Sequence, residues 1–108
     1  MTHGKNEAGN LLPKVFTFNP TNQPVQVEVI NHEPWFVAKD VCDCLRLGNV
    51  TESLRGMDDD EKMTSVVLRS GQNREVNLVN ESGLYNLIFQ SRKPEAKAFR
   101  KWVTSEVL

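Results

Sequence analysis

Five cations stand within ten residues near the end of the chain: Arg92, Lys93, Lys97, Arg100 and Lys101. Such side chains bind phosphate oxygens, which need charged donors on a shared surface and little else. Pro94 suits the first turn of a helix, where its missing N–H is harmless. At about 100° per residue, Ala96, Phe99, Val103 and Val107 fall within an arc of roughly 80°, the packing stripe of that helix. Lys97, Arg100, Lys101 and Thr104 lie on one side of the stripe, and Glu95, Trp102 and Glu106 on the other. The cations are therefore gathered on one flank, with Arg92 and Lys93 immediately before it. A solvated helix face is the competing account of the same pattern.

The whole chain of 108 residues has a net charge of only −1. Residues 1–91 hold eight Lys/Arg against twelve Asp/Glu, while residues 92–108 hold five against two. That division excludes a uniformly basic nucleic-acid binder and leaves a local basic surface. Lys39 and Arg46, seven apart on the outer side of an earlier helix, are candidates to extend it. Arg69 and Arg74 flank a hairpin, and a β-ribbon can carry arginines to base edges in a groove. Arg55 is isolated.

Other chemistry finds less support. Asp58-Asp59-Asp60-Glu61 invites a metal-dependent nuclease, but consecutive loop carboxylates cannot all converge on one ion and no EF-hand spacing follows. Cys42 and Cys44 point in different directions along a helix, which is poor disulfide geometry, and His3 and His32 are too distant to complete a zinc site. Buried reduced thiols in a cytoplasmic protein are expected. There is no nucleophile elbow and no phosphate loop, so neither catalysis nor a cofactor is expected. No apolar run reaches membrane-spanning length, and residues 1–13 lack the apolar centre of a signal peptide. Trp35 and Trp102 could stack on bases, but each adjoins an apolar stripe and reads as core.

The elements that must position these residues follow from periodicity. Residues 1–13 are polar and aperiodic and are expected to be a disordered lead-in. Val15–Phe18 is a short strand. Val25, Val27 and Val29 alternate with Gln26 and Glu28, a half-buried strand that turns at Asn31-His32-Glu33-Pro34 and returns through Trp35–Val37. Ala38–Leu47 has helical period, with Ala38, Val41, Cys44 and Leu45 inward, and Gly48 suits its exit. Asn49 caps a short helix ending at Arg55-Gly56, a weak echo of a helix-turn-helix that reads better as a packing corner. Residues 57–62 form an acidic loop. Thr64–Arg69 and Arg74–Val79 form a second hairpin through Ser70-Gly71-Gln72-Asn73. Asn80 caps a helix with Leu84, Leu87 and Ile88 inward and Tyr85 and Phe89 on the flank, apolar enough on two sides to be expected at the centre of the core.

Val29–Val41, Val79–Tyr85, Ser91–Ala96, Phe99, Trp102-Val103 and Glu106–Leu108, in that order, resemble the BRO N-terminal domain shared by prophage antirepressors and baculovirus repeated-ORF proteins. The resemblance implies a DNA-binding domain of a phage or viral regulator, without catalysis, acting on double-stranded DNA. Its commonest turn glycine is replaced here by His32, beside an Asn31 suited to a left-handed conformation. The family pattern runs on past Leu108, usually into a separate C-terminal domain, so a piece of a longer protein is expected. The expected fold is α+β, with two antiparallel β-hairpins packed with about four helices in one domain spanning 14–108. The alternative function is an interaction module that captures a repressor protein, since a basic flank serves an acidic protein patch equally well. A homo-oligomer is compatible with the sequence and not specified by it.

Overall fold

The computed structural model describes residues 14–108; the lead-in expected over 1–13 lies outside them. Five strands, β1 (Lys14–Phe18), β2 (Gln23–Ile30), β3 (Glu33–Val37), β4 (Lys62–Arg69) and β5 (Gln72–Val79), form one antiparallel sheet in the order β1-β2-β3-β5-β4. Helices α1 (Ala38–Leu45), α2 (Val50–Leu54), α3 (Glu81–Gln90) and α4 (Pro94–Trp102) complete the α+β fold. A 3₁₀ turn spans Asp59–Glu61 within the acidic loop, and α4 continues into a π-helical turn over Val103–Val107.

The expected pair of hairpins is corrected in one respect. The first strand does not stand apart: β1 pairs with β2 along its length, from Lys14↔Val27 to Phe18↔Gln23, so β1–β3 is a three-stranded meander. Its second turn is Asn31-His32, both left-handed at φ 52° and 66°. That is the type I′ geometry whose twist matches the flanking strands, and His32 occupies a position where glycine is least strained. The β4–β5 turn is likewise two residues, Ser70-Gly71, so Gln72 and Asn73 belong to the strand.

The helices cover one face of the sheet. Phe18, Val25, Val27, Phe36, Val41, Leu45, Leu84, Leu87, Phe99 and Val103 make the main core there. Phe18, Phe99 and Trp102 meet edge-to-face or tilted, with ring centroids 5.2–5.4 Å apart. Gly83 lets α3 approach closely, since a Cβ at that position would stand 2.7 Å from the carbonyl oxygen of Glu61. Asn80 fastens the same corner. Its side chain accepts from the Gly83 N–H at 3.0 Å and donates to the Asp60 carbonyl at 2.8 Å.

The opposite face carries the second departure from expectation. Only Phe36↔Val79 and Val37↔Leu78 join β3 to β5, whereas β4 and β5 pair over eight positions. Beyond that short seam the β4–β5 ribbon curls over the sheet and buries Trp35, Val37, Val67 and Leu78 in a second cluster. Gln26 and Glu28, which alternate with valines as solvent-facing residues should, are consequently 5% and 7% exposed. β2 is buried on both faces.

The buried polar groups are met by a network at the ribbon tip. Arg69 grips Asp40 with two nitrogens at 2.9 and 3.1 Å and donates to the Gln26 side-chain oxygen at 2.9 Å. Gln26 in turn donates to Glu28 and to the Leu68 carbonyl, and its backbone N–H reaches Asp40 at 3.0 Å. Burial pushes the Glu28 carboxyl above its ordinary 4.5, partly opposed by the Gln26 hydrogen bond. A carboxyl raised on folding binds protons more tightly in the native state, so stability falls as pH climbs from the ordinary glutamate range through the raised value. Glu28→Gln is therefore expected to raise the melting temperature at neutral pH. The gain should shrink as pH is lowered through the raised value toward 4.5, which thermal melts across a pH series will check.

Candidate nucleic-acid interface

α3 and α4 are consecutive, joined through Ser91–Lys93. Ser91 fixes the corner by donating its hydroxyl to the Leu45 carbonyl at the end of α1, at 2.9 Å. Pro94 occupies the first turn of α4, and the stripe Ala96, Phe99 and Val103 is buried as the spacing predicts. That packing fixes the rotation of α4. Lys97, Arg100 and Lys101 are left exposed on the flank that meets α3, and Arg92 and Lys93 are exposed in the linker.

Ion pairs divide the described cations into two groups. Lys39 pairs with Asp43 at 3.1 Å, Arg46 with Glu95 at 3.4 Å, Arg55 with Glu52 at 3.1 Å, and Arg69 with Asp40. Among the described residues, no salt bridge is formed by Arg92, Lys93, Lys97, Arg100 or Lys101. Arg100 and Lys101 lie in the last turn of α4, where positive charge also suits the helix dipole.

The four other candidates are placed elsewhere. Arg46 adopts a left-handed backbone as the cap of α1, at φ 60°, and reaches α4 through Glu95. Glu95 stands about 200° around the helix from Lys97 at 100° per residue, so Arg46 does not extend the basic flank. Lys39 is held within α1 by Asp43, one turn away. Arg69, expected at a groove, is turned inward on Asp40 and is a structural residue. Arg74 is exposed and bonded to the Gln72 side chain at 2.9 Å. The ribbon that carries it packs on the sheet face opposite the helices, so the sheet lies between Arg74 and α4.

Lys97, Arg100, Lys101 and Thr104 line a shallow cleft of about 480 Å³ together with Tyr85 of α3. No carboxylate lines it. Thr104 turns its hydroxyl back onto the carbonyls of Arg100 and Lys101, at 2.9 and 3.1 Å. Burial, then the nearby Glu81, push the Tyr85 phenol upward, opposed by Arg100, so the hydroxyl stays protonated as a donor. Tyr85 is only half-buried and Phe89, one turn further along α3, is 91% exposed. The expectation that α3 is central on two sides is thus corrected: Leu84, Leu87 and Ile88 are inside, while the aromatic flank faces outward. The i, i+4 spacing of two aromatics beside an already complete apolar stripe was the available signal.

The acidic loop is accounted for structurally. The Glu61 carboxylate accepts the Ser82 hydroxyl at 2.6 Å and the Asp58 N–H at 3.0 Å, contacts that hold its carboxyl below the usual value. Among the described residues no group of three His, Cys, Asp or Glu side chains is arranged to hold a metal ion. Cys42 and Cys44 are buried free thiols, pushed by desolvation to about 11 and about 12. No described helix is long and apolar enough to cross a membrane.

Comparison with known proteins places this architecture. The chain is 39% identical over 97 residues to an uncharacterized protein of Haemophilus influenzae, covering 85% of this chain and 47% of that protein. It is 26% identical over 115 residues to the putative Bro-N domain-containing protein 019R of Invertebrate iridescent virus 3, covering 85% of this chain and 28% of the relative. The chain thus spans about half of one relative and just over a quarter of the other. No solved structure matches. The sequence model of the BRO family, N-terminal domain, matches residues 24–108, from β2 through the basic helix to Leu108. The chain belongs to the BRO family and carries its N-terminal domain.

Proposed function

We propose that this domain binds double-stranded DNA through the exposed α3–α4 edge, as the DNA-binding module of a phage-type antirepressor or transcriptional regulator. The observation that carries the reading is the gathering of five exposed cations, unpaired among the described residues, on one helix flank and its linker. Lys39, Arg46, Arg55 and Arg69 each have a carboxylate partner. Among the described residues Lys14, Lys62 and Arg74 form no salt bridge but are scattered over β1, β4 and β5, whereas the five unpaired cations of the α4 flank and its linker lie within ten residues. Unneutralised donors sharing one exposed edge fit the regularly spaced phosphates of a duplex, and phosphate contact releases bound counterions. Family membership supports the same partner.

A salt series with duplex DNA tests this directly. Each phosphate contact adds about −0.9 to the slope of log K against log salt, so the Lys97/Arg100/Lys101 triple alanine variant should lose about 2.7 of that slope. Its affinity at low salt should fall by roughly a hundredfold or more. The three side chains are exposed, so the melting temperature should change little. A protein that retains no duplex even at low salt would refute the DNA reading and turn attention to capture of a repressor protein.

A further inference from the structure

Phe89 is the most exposed large apolar side chain in the described structure, at 91%, against 63% for Val66 and 58% for Val15. It lies on α3 one turn beyond Tyr85, and Tyr85 lines the cleft with Lys97, Arg100 and Lys101. The chain then passes within three or four residues to Arg92 and Lys93. An exposed aromatic ring thus stands on α3 between the cleft residue Tyr85 and the cationic linker. The core does not require it there, because Leu84, Leu87 and Ile88 already supply the inward stripe of α3. On rotation around the helix, Phe89 stands about 140° from Leu84, well clear of the sheet.

We infer that Phe89 is a wedge that enters a base step of duplex DNA while the cations of α4 and its linker hold the phosphates. The inference rests on the DNA reading above and adds a mode of binding to it. Phosphate oxygens satisfy the Lys and Arg donors but offer nothing to a ring; a partly opened base step offers an apolar, stackable surface of matching size. An apolar side chain on an edge that also carries unpaired cations is poorly matched to a purely hydrophobic protein groove, which would strand the charges without partners. Pyrimidine–purine steps such as TA open most readily, so the wedge gives the domain a preference for flexible steps without hydrogen-bonded base reading.

The test uses a short duplex with 2-aminopurine beside a central TA step, whose fluorescence rises when the base unstacks. Binding of the wild-type protein should raise the signal severalfold. Phe89→Ala should abolish the rise and weaken affinity by about tenfold, the scale of one lost base–aromatic contact, with the salt slope unchanged. Phe89→Trp should retain both. A Phe89→Ala protein that binds as tightly as wild type and gives the same signal overturns the wedge but leaves phosphate binding standing. Loss of all duplex binding by the wild-type protein overturns both readings together.

Discussion

Replacing Arg69 with alanine is expected to destabilise the domain by about 3–5 kcal/mol, the usual cost of leaving a buried charge without its partner. Asp40 is only 6% exposed and loses both guanidinium contacts, retaining the Gln26 backbone N–H alone. Gln26 loses the donor to its side-chain oxygen at the same time. The loss should be read in urea melts, and its origin in a double-mutant cycle with Asp40→Asn. If the penalty is the stranded carboxylate, Asp40→Asn will recover a large part of it, because the amide keeps an acceptor for Gln26 without the charge. A cycle showing no coupling would mean that Arg69 matters through its hydrogen bond to Gln26 and its aliphatic packing and not through the charge pair.

Phe99→Ala is expected to cost about 3–5 kcal/mol, as large aromatic truncations in closed cores do. Its ring is fully buried and meets both Phe18 of β1 and Trp102 of the following turn, at 5.2 and 5.4 Å. No neighbour can collapse into the void without moving α4 off the sheet. The same variant should bind DNA more weakly at temperatures near its melting point and normally well below it, since Phe99 sets the rotation of Lys97 and Arg100 without touching the surface. Calorimetry alongside a binding isotherm separates the two effects.

Both residues show what the sequence disclosed and what it withheld. The stripe of α4 was legible because helical spacing alone places Ala96, Phe99 and Val103 together, and the exposed basic flank follows by subtraction. The caps at Asn49 and Asn80 were legible from local chemistry, and both accept the expected N–H. Arg69 was not legible. Its partner is 29 residues away across an element boundary, and nothing in the alternation of β4 shows that the ribbon curls over β2. The same curl hides Gln26 and Glu28, whose polar identity and period-two placement otherwise signal solvent. The cations of α1 misled for a related reason: a helical wheel displays Arg46 as outward but does not display Glu95 arriving from a helix 49 residues later. Phe89 was legible as a flank residue, yet how much of that flank the neighbouring helix covers depends on tertiary placement.

The two-pair seam between β3 and β5 divides the molecule mechanically. The ribbon's far end is held by the Arg69 clasp and a small apolar cluster, and its near end by two residue pairs. Such a segment opens as a cooperative unit of its own, at a fraction of the free energy needed to unfold the helical core. α3 and α4 draw their support from the other face of the sheet, through Phe18, Val41, Leu84 and Phe99. Val79 at the base of the ribbon also joins that core, against Gly83 of α3, so only the ribbon's outer part is separate from the proposed DNA-binding edge. Substitutions at exposed ribbon positions such as Arg74 should therefore leave the cationic edge in shape, whereas Arg69, Val67 and Leu78 are held by the fold.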